Sequence, residues 1–178
     1  MTIIDQVKIL TRTLVQSVVD KEPVSYMEAA SLYGIILQAR HNISMLSLLY
    51  NQAQDPELRE LIKAAIYEQT IPSIETCEKL MRAGDGELPD VHFAPHPLYD
   101  KVDFPKGVRL TDMEIAIAVA NIARASQLTL FLSLQQCYQL EIALAINQLL
   151  SSGLQWNYRL LQLMLYQGWL PRISKVEH

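Results

Sequence analysis

The pattern of apolar positions predicts a chain built of helices, and its most apolar stretch runs from Thr111 to Gln167. Between Glu114 and Leu140 the one charged residue is Arg124. Apolar residues here do not alternate with polar ones as they do along a half-buried strand. Because a helix that is apolar nearly all round belongs in a core, the stretch is predicted to be buried helix.

The apolar stretch is too long to be one helix. From Thr111 to Gln167 a single helix would measure about 85 Å, well beyond the diameter of a domain of this size. We place the turn in the polar cluster Gln135–Gln139. A turn at Ser151–Gly153 would instead leave one very long helix and one short one, so Gly153 is interpreted as a close-packing point or a mild kink.

The first half of the chain opens with a capping box, in which Ser25 is followed three residues later by Glu28. The helix that begins there is predicted to continue to about Gln52. Apolar residues occupy most of its circumference. Its main stripe consists of Ala29, Leu32, Tyr33, Ile36, Ala39, Ile43, Leu46 and Tyr50.

The next helix is the charged one and should face water. Asp55 is its predicted N-cap, Pro56 takes the first helical position, and the helix continues to about Ala83. Pro72 lies inside it and removes one helical hydrogen bond, so we expect a kink near Glu68.

Three other segments complete the organisation. Residues 1–22 hold a short amphipathic helix that can pack on its own bundle or on a partner chain. Residues 84–110 are rich in Gly and Pro and are predicted to be a long crossover, because a structureless loop of this length is unusual in a compact domain. The bundle is predicted to span 23–172, and residues 173–178 form a tail.

The two halves of the chain resemble each other. Ser25 and Glu28 match Thr111 and Glu114 at an offset of 86 residues. Each half is a predicted helical hairpin followed by Gly and then Leu-Pro. Two hairpins joined by a long crossover are typical of a ferritin-like four-helix bundle, so the fold is predicted to be all-α and ferritin-like.

Composition narrows the function classes. Hydrophobic residues make up 50% of the chain and charged residues 19%, below the share of about 25% in a typical soluble domain. This shortage of charge predicts a homo-oligomer, most simply a dimer. The net charge of −4 argues against nucleic-acid binding.

The predicted compartment is the cytoplasm. A membrane span is not expected, because Arg124 interrupts the apolar run. Secretion is not expected, because residues 1–22 lack the features of a signal peptide.

A di-metal centre is not predicted. Such centres in ferritin-like bundles need Glu-x-x-His pairs, and no glutamate here has a histidine three residues later. Glu28 and Glu114 are assigned to capping boxes. His92 and His96 are weak metal candidates because their loop constrains no geometry. The carboxylates nearest to them in sequence are Asp90, Asp100 and Asp103. No cofactor is expected.

Three further residues are candidates for ligand binding. Arg124 is a guanidinium in the middle of the most apolar helix and needs a partner there, for which Glu68 is a candidate. It is interpreted as part of a structural ion pair, as a snorkelling arginine whose charge reaches water, or as the binder of a small acidic ligand. His41 lies off the main stripe of its helix, on the surface or at an interface.

The C-terminal segment Leu160–Pro171 resembles the end of the spore coat protein F group and its ferritin-like relatives. Glu28–Tyr33 and Leu88–Val91 are similar to the same relatives, and the resemblance covers roughly residues 25–172. It implies a ferritin-like bundle from an endospore-forming bacterium, associated with the spore coat. It carries no catalytic residues over to this chain.

Two hypotheses follow. The first is a metal-free structural protein that self-associates, with other coat proteins as further partners. The second is a divergent metal- or small-ligand-binding ferritin-like enzyme or sensor. No phosphate loop or nucleophile motif supports catalysis.

Overall fold

In the computed structural model, residues 23–93, 95–100, 102–105 and 107–170 are described. The predicted N-terminal helix and the tail lie outside these residues. The described chain is all-helical, which confirms the predicted class. We label its elements α1 (Tyr26–Gln52), α2 (Pro56–Ala64), a π-helical segment (Ala65–Thr70), α3 (Ile71–Ala83), α4 (Asp112–Gln135) and α5 (Leu140–Tyr166).

The first hairpin pairs α1 with the long rod formed by α2, the π-helical segment and α3. The predicted capping box is present: the Ser25 hydroxyl accepts from the N–H of Glu28, whose carboxylate accepts from the N–H of Ser25. Asp55 caps α2 by accepting from the N–H of Leu58. Local sequence signals therefore set both helix starts.

Near Glu68, where a kink was predicted, the rod contains a π-helical segment that ends just before Pro72. Proline has no N–H to donate, so the regular bonding pattern cannot pass through it. The N–H of Ile71 instead reaches back five residues to the carbonyl of Ile66. The hydroxyl of Thr70 likewise donates to the carbonyl of Ala65 at 2.8 Å.

The second hairpin pairs α4 with α5, and the chain turns between Gln135 and Leu140, as predicted. Thr111 and Glu114 form the second capping box. Gly153 lies within α5, where Gln127 of α4 donates to its carbonyl at 2.9 Å. It is therefore a point of contact between the two helices.

The start of each hairpin is bonded to the turn of the other one. Glu28 of α1 accepts from the backbone N–H groups of Tyr138 and Gln139, at 2.9 and 2.7 Å. Asp112 of α4 accepts from those of Gln54 and Asp55, at 2.8 and 3.1 Å. We call these two sets of bonds the reciprocal turn clasps.

The core consists of two clusters along the bundle. The larger joins α1, α2, α4 and α5 and includes Leu58, Ile115 and Leu160. The smaller joins α1, α3, α4 and α5 and includes Ile36, Cys77 and Ile146.

The prediction that Thr111–Gln167 is buried helix is wrong in extent. Many of its apolar side chains face outward, because each helix of a four-helix arrangement contacts the others with one side only.

The crossover between α3 and α4 lies along α1 and is held there by polar side chains. Arg40 donates to the carbonyls of Pro89 and Val91, at 2.6 and 2.7 Å. Farther along α1, Asn51 donates to the carbonyl of Pro97 and accepts from the N–H of Tyr99. The crossover is thus attached to the bundle at several levels.

Candidate interaction surface

Helix α5 carries a continuous outward stripe of mainly apolar side chains. Its positions alternate in steps of three and four residues, which is the spacing of a coiled-coil seam. All of its members are exposed, and Tyr158 is 60% exposed. The stripe consists of Leu144, Asn147, Ser151, Leu154, Tyr158, Leu161 and Leu165.

Helix α4, which packs beside α5, carries a second outward stripe of the same kind. Its ends are apolar, and a polar pair occupies its middle. The guanidinium of Arg124 donates to the side chain of Asn121 at 3.4 Å. The stripe consists of Met113, Ile117, Asn121, Arg124, Leu128 and Phe131. We call the stripes on α4 and α5 together the apolar face.

Helix α1 adds further exposed apolar side chains next to α4. Its N-terminal half and α4 border an open groove that also contains Gly34. A Cβ added at Gly34 would meet no atom within 4 Å, so nothing in the described chain packs on this position. The exposed apolar residues of α1 are Tyr26, Met27, Tyr33, Leu37, Met45 and Leu48.

The rod formed by α2, the π-helical segment and α3 has the opposite character. Its exposed side is predominantly charged, as the sequence predicted. Tyr67, which is 49% exposed, is its one large exposed apolar residue among those described. The exposed charged residues of the rod are Glu57, Glu60, Lys63, Glu68, Glu75, Lys79 and Arg82, with Arg59 partly buried. Since exposed apolar area is concentrated on the other helices, the molecule has one charged side and one apolar side.

The structure does not bring the predicted ligand-binding residues together. Arg124 is exposed on the apolar face, which agrees with a snorkelling arginine and not with a buried ion pair. Glu68 is exposed on the charged rod, and no ion pair among the described residues joins it to Arg124. His41 is exposed on α1, where its ring meets that of Phe93 edge-on at 6.1 Å. These positions leave the three as separate surface residues.

The loop histidines are also separate. His92 and His96 are both exposed in the crossover. Over the described ranges, no group of three or more His, Cys, Asp or Glu side chains is arranged to hold a metal ion. The two histidines therefore remain sequence candidates without a described ligand set.

Sequence reasoning missed the most buried charged pair of the described chain. Arg40 and Glu78 approach to 2.7 Å, with the Arg40 side chain 6% exposed and that of Glu78 16%. Glu78 also pairs with Arg82 at 2.8 Å. Because this arginine binds crossover carbonyls as well, its role is to position the crossover. The sequence contained one signal of this pair: Arg40 is a charged residue among the apolar residues of α1 and therefore needs a partner.

The two cysteines are free and show no sign of an activated thiol. Burial raises the pKa of Cys77 to about 12. Burial, and then the nearby carboxylate of Glu28, raise the pKa of Cys137. A thiolate is the reactive form of cysteine, so both side chains are less reactive than a free thiol.

Within the part of the chain that the structure describes, α4 alone is long and apolar enough to cross a membrane by length and composition. A core helix of a soluble protein passes the same criterion, and here 22% of the apolar window is buried. Arg124 lies within this helix, and a charged side chain at the centre of a bilayer is costly. The finding adds to the evidence that the apolar side of α4 is uncovered.

Comparison with known proteins shows the fold. No family model and no curated protein matches the chain. Among solved structures, it is similar to the crystal structure of a proposed spore coat protein from Bacillus halodurans C-125. The two chains share 24% identity with a TM-score of 0.81, and the match covers 88% of this chain and 98% of that one. At this identity the likeness establishes a shared helical fold. The neighbour is named as a proposed spore coat protein, which is the kind of protein that the C-terminal segment resembles.

Proposed function

We propose that this protein is a structural component that self-associates through the apolar face and contributes to a spore coat. The observation that carries the proposal is the pair of outward stripes on α4 and α5. Spacing in steps of three and four residues lets side chains of one helix interlock with those of another. A second copy presents the same mainly apolar pattern, so the face is suited to an isologous contact.

The charge distribution favours a second copy over a charged partner. The apolar face contains Arg124 as its one formal charge, and that side chain is already bonded to Asn121. A protein or polymer that binds by charge would meet few complementary groups there. The charged rod on the opposite side keeps the other surface hydrated, which supports a closed dimer more than an open aggregate.

The finer assignments are also part of the proposal. A ferritin-like arrangement is supported by two hairpins joined by a long crossover that lies along α1. Spore coat association is supported by the C-terminal resemblance and by the structural neighbour. Fractionation of spores from the source organism with an antibody to this chain tests it; signal confined to the spore interior contradicts coat association.

Sedimentation of the full chain at micromolar concentration tests the self-association. We expect a dimer or larger species. The variant Tyr158→Glu places a charge in the α5 stripe and should shift the protein toward monomer by at least tenfold in dissociation constant, because the carboxylate would be desolvated at the contact.

Tyr67→Glu is the matched control, since Tyr67 has similar exposure but lies on the charged rod. It should sediment like the unmodified protein. A wild type that is only monomeric, or equal effects of the two substitutions, contradicts the proposal.

A further inference from the structure

A cavity of about 80 Å³ lies in the middle of the bundle, between the two hairpins. Helices α1, α3, α4 and α5 contribute to its wall. The π-helical segment supplies Ala65, Gln69 and Thr70, and Ser73 follows on α3. Local π-helical turns are frequent at functional sites, because they change which side chains point toward one place.

The lining of the cavity combines an apolar wall with uncharged polar groups. Ile35, Val119, Leu130 and Trp156 belong to the apolar part. Trp156 is fixed there by its indole N–H, which donates to the carbonyl of Leu61 at 3.0 Å. The polar part consists of Gln38, Asn42, Gln69, Thr70, Ser73, Ser126, Gln127 and Thr129. No charged side chain lines it, so a charged ligand would be left without a counter-charge.

Some of these polar groups have unused hydrogen-bonding atoms. Asn42 donates through Nδ2 to the hydroxyl of Ser126 at 3.0 Å, while its Oδ1 accepts no bond from the described chain. Gln127 donates through Nε2 to the carbonyl of Gly153, and its Oε1 is likewise free. Gln69 accepts from Ser152 and has a free amide N–H₂. Two acceptors and a donor are therefore available.

Asn42 is one of the polar residues that line the cavity. Asn42 is 8% exposed. Every fully enclosed side-chain N or O atom of the described residues has a partner. Its free oxygen is therefore reachable by a water-sized molecule, and the cavity is the space that Asn42 lines. Such an oxygen can accept a hydrogen bond from water or from a small molecule that takes the place of water in the cavity.

We propose that this cavity is a binding site for a small uncharged amide. An amide offers N–H donors to the oxygens of Asn42 and Gln127, and a carbonyl to the N–H₂ of Gln69. Its alkyl part would lie against the apolar wall. An apolar cavity of about 150 Å³ binds benzene, so a space of about 80 Å³ suits a molecule of roughly four heavy atoms, such as acetamide.

Titration of the full isotope-labelled chain with acetamide, followed by NMR, tests the site. We expect saturable shifts and intermolecular NOEs at the methyl groups of Val119 and Leu130, with a dissociation constant roughly in the millimolar range, as befits so few atoms. Acetate has the same shape and a negative charge, and should bind at least tenfold more weakly.

A test variant, a matched control and a replacement variant distinguish a loss of binding from a loss of folding. Asn42→Leu removes the free acceptor and should weaken acetamide binding by about tenfold. Asn157→Leu, the same substitution at a position on α5 outside the lining, should leave binding unchanged. Both are checked for a cooperative thermal transition. If Asn42→Leu does not fold, Ala123→Leu, which fills the cavity from α4, replaces it and should abolish binding.

Linear, non-saturating shifts, equal binding of acetate, or NOEs from water alone would overturn the proposal. So would equal effects of Asn42→Leu and Asn157→Leu. The oligomeric state does not enter this readout, so the outcome is independent of self-association.

Discussion

Glu28 and Gln139 are 111 residues apart in sequence, and the carboxylate of the first accepts a 2.7 Å hydrogen bond from the backbone N–H of the second. The same carboxylate accepts from Tyr138 and from Ser25. Glu28 is 1% exposed. One side chain thus caps α1 and holds the N-terminus of α5 beside it.

Replacing Glu28 with Gln should destabilise the protein by about 2 kcal/mol, because charge-assisted bonds to several donors become neutral ones and one acceptor oxygen is lost. Urea denaturation measures the change in the free energy of unfolding. Glu114→Gln is the control. Glu114 belongs to an equivalent capping box but is exposed and bonds only to Thr111, so its effect should be clearly smaller. Equal losses would contradict a tertiary role for Glu28.

The same carboxylate should make stability depend on pH. Burial opposes its ionisation, yet the hydrogen bonds from Gln139, Ser25 and Tyr138 prevail and lower the pKa of Glu28 below its ordinary value. The folded state then binds fewer protons than the unfolded one. The contribution of Glu28 is therefore complete above the unfolded pKa of about 4.3 and is lost as pH falls through the lower folded value.

Denaturation midpoints of the wild type and of Glu28→Gln, measured from pH 7 to pH 3, check this dependence. The difference between the two should be constant above about pH 5 and should shrink toward pH 3. A difference that grows on acidification would show that the sign is wrong.

Arg40→Met should cost about 3 kcal/mol, because it leaves the buried carbonyl of Pro89 and the partly buried one of Val91 without donors and removes one partner of Glu78. It should also release the crossover, seen as faster proteolysis within residues 84–110. Arg82→Met is the control: its side chain is 64% exposed and pairs with the same carboxylate. That change should stay within about 0.5 kcal/mol and leave the crossover protected.

Two glycines respond oppositely to the same substitution. Gly34→Ala should stabilise the chain by about 0.5–1 kcal/mol, since it lies inside α1 and a Cβ there meets nothing. Gly84→Ala should destabilise it, because a Cβ would lie 2.8 Å from the backbone nitrogen of Val24. Thermal unfolding of both variants measures the signs. An unchanged midpoint for Gly84→Ala would show that the contact between the end of α3 and Val24 is loose.

The features of the fold that could be predicted from sequence are mainly those that depend on residues close together in the chain. The capping boxes at Ser25 and Thr111 and the N-cap at Asp55 depend on bonds within a few residues, and each is present. Near Pro72 the sequence predicted a kink, and the structure has a π-helical segment there. The turn after Gln135 followed from length, since a single helix would not fit the domain.

The rest depends on packing between distant segments. Glu28 has distant partners at the turn of the other hairpin, and Arg40 has partners in the crossover; no local pattern points to these contacts. The sequence does not distinguish an apolar side chain in a core from one on an uncovered face. Helices α4 and α5 were therefore predicted to be more buried than they are. The cavity is lined by residues from several helices, and no single segment of the sequence indicates it.

The reciprocal turn clasps have a consequence for how the chain reaches its native state. A hairpin alone would leave the backbone N–H groups at its turn without their acceptor, because Glu28 and Asp112 each serve the opposite half. Neither half is then a complete folding unit, although each has its own helix caps. The chain is therefore organised as two hairpins that complete each other, and both turns have all their hydrogen-bond partners only when the hairpins are packed together.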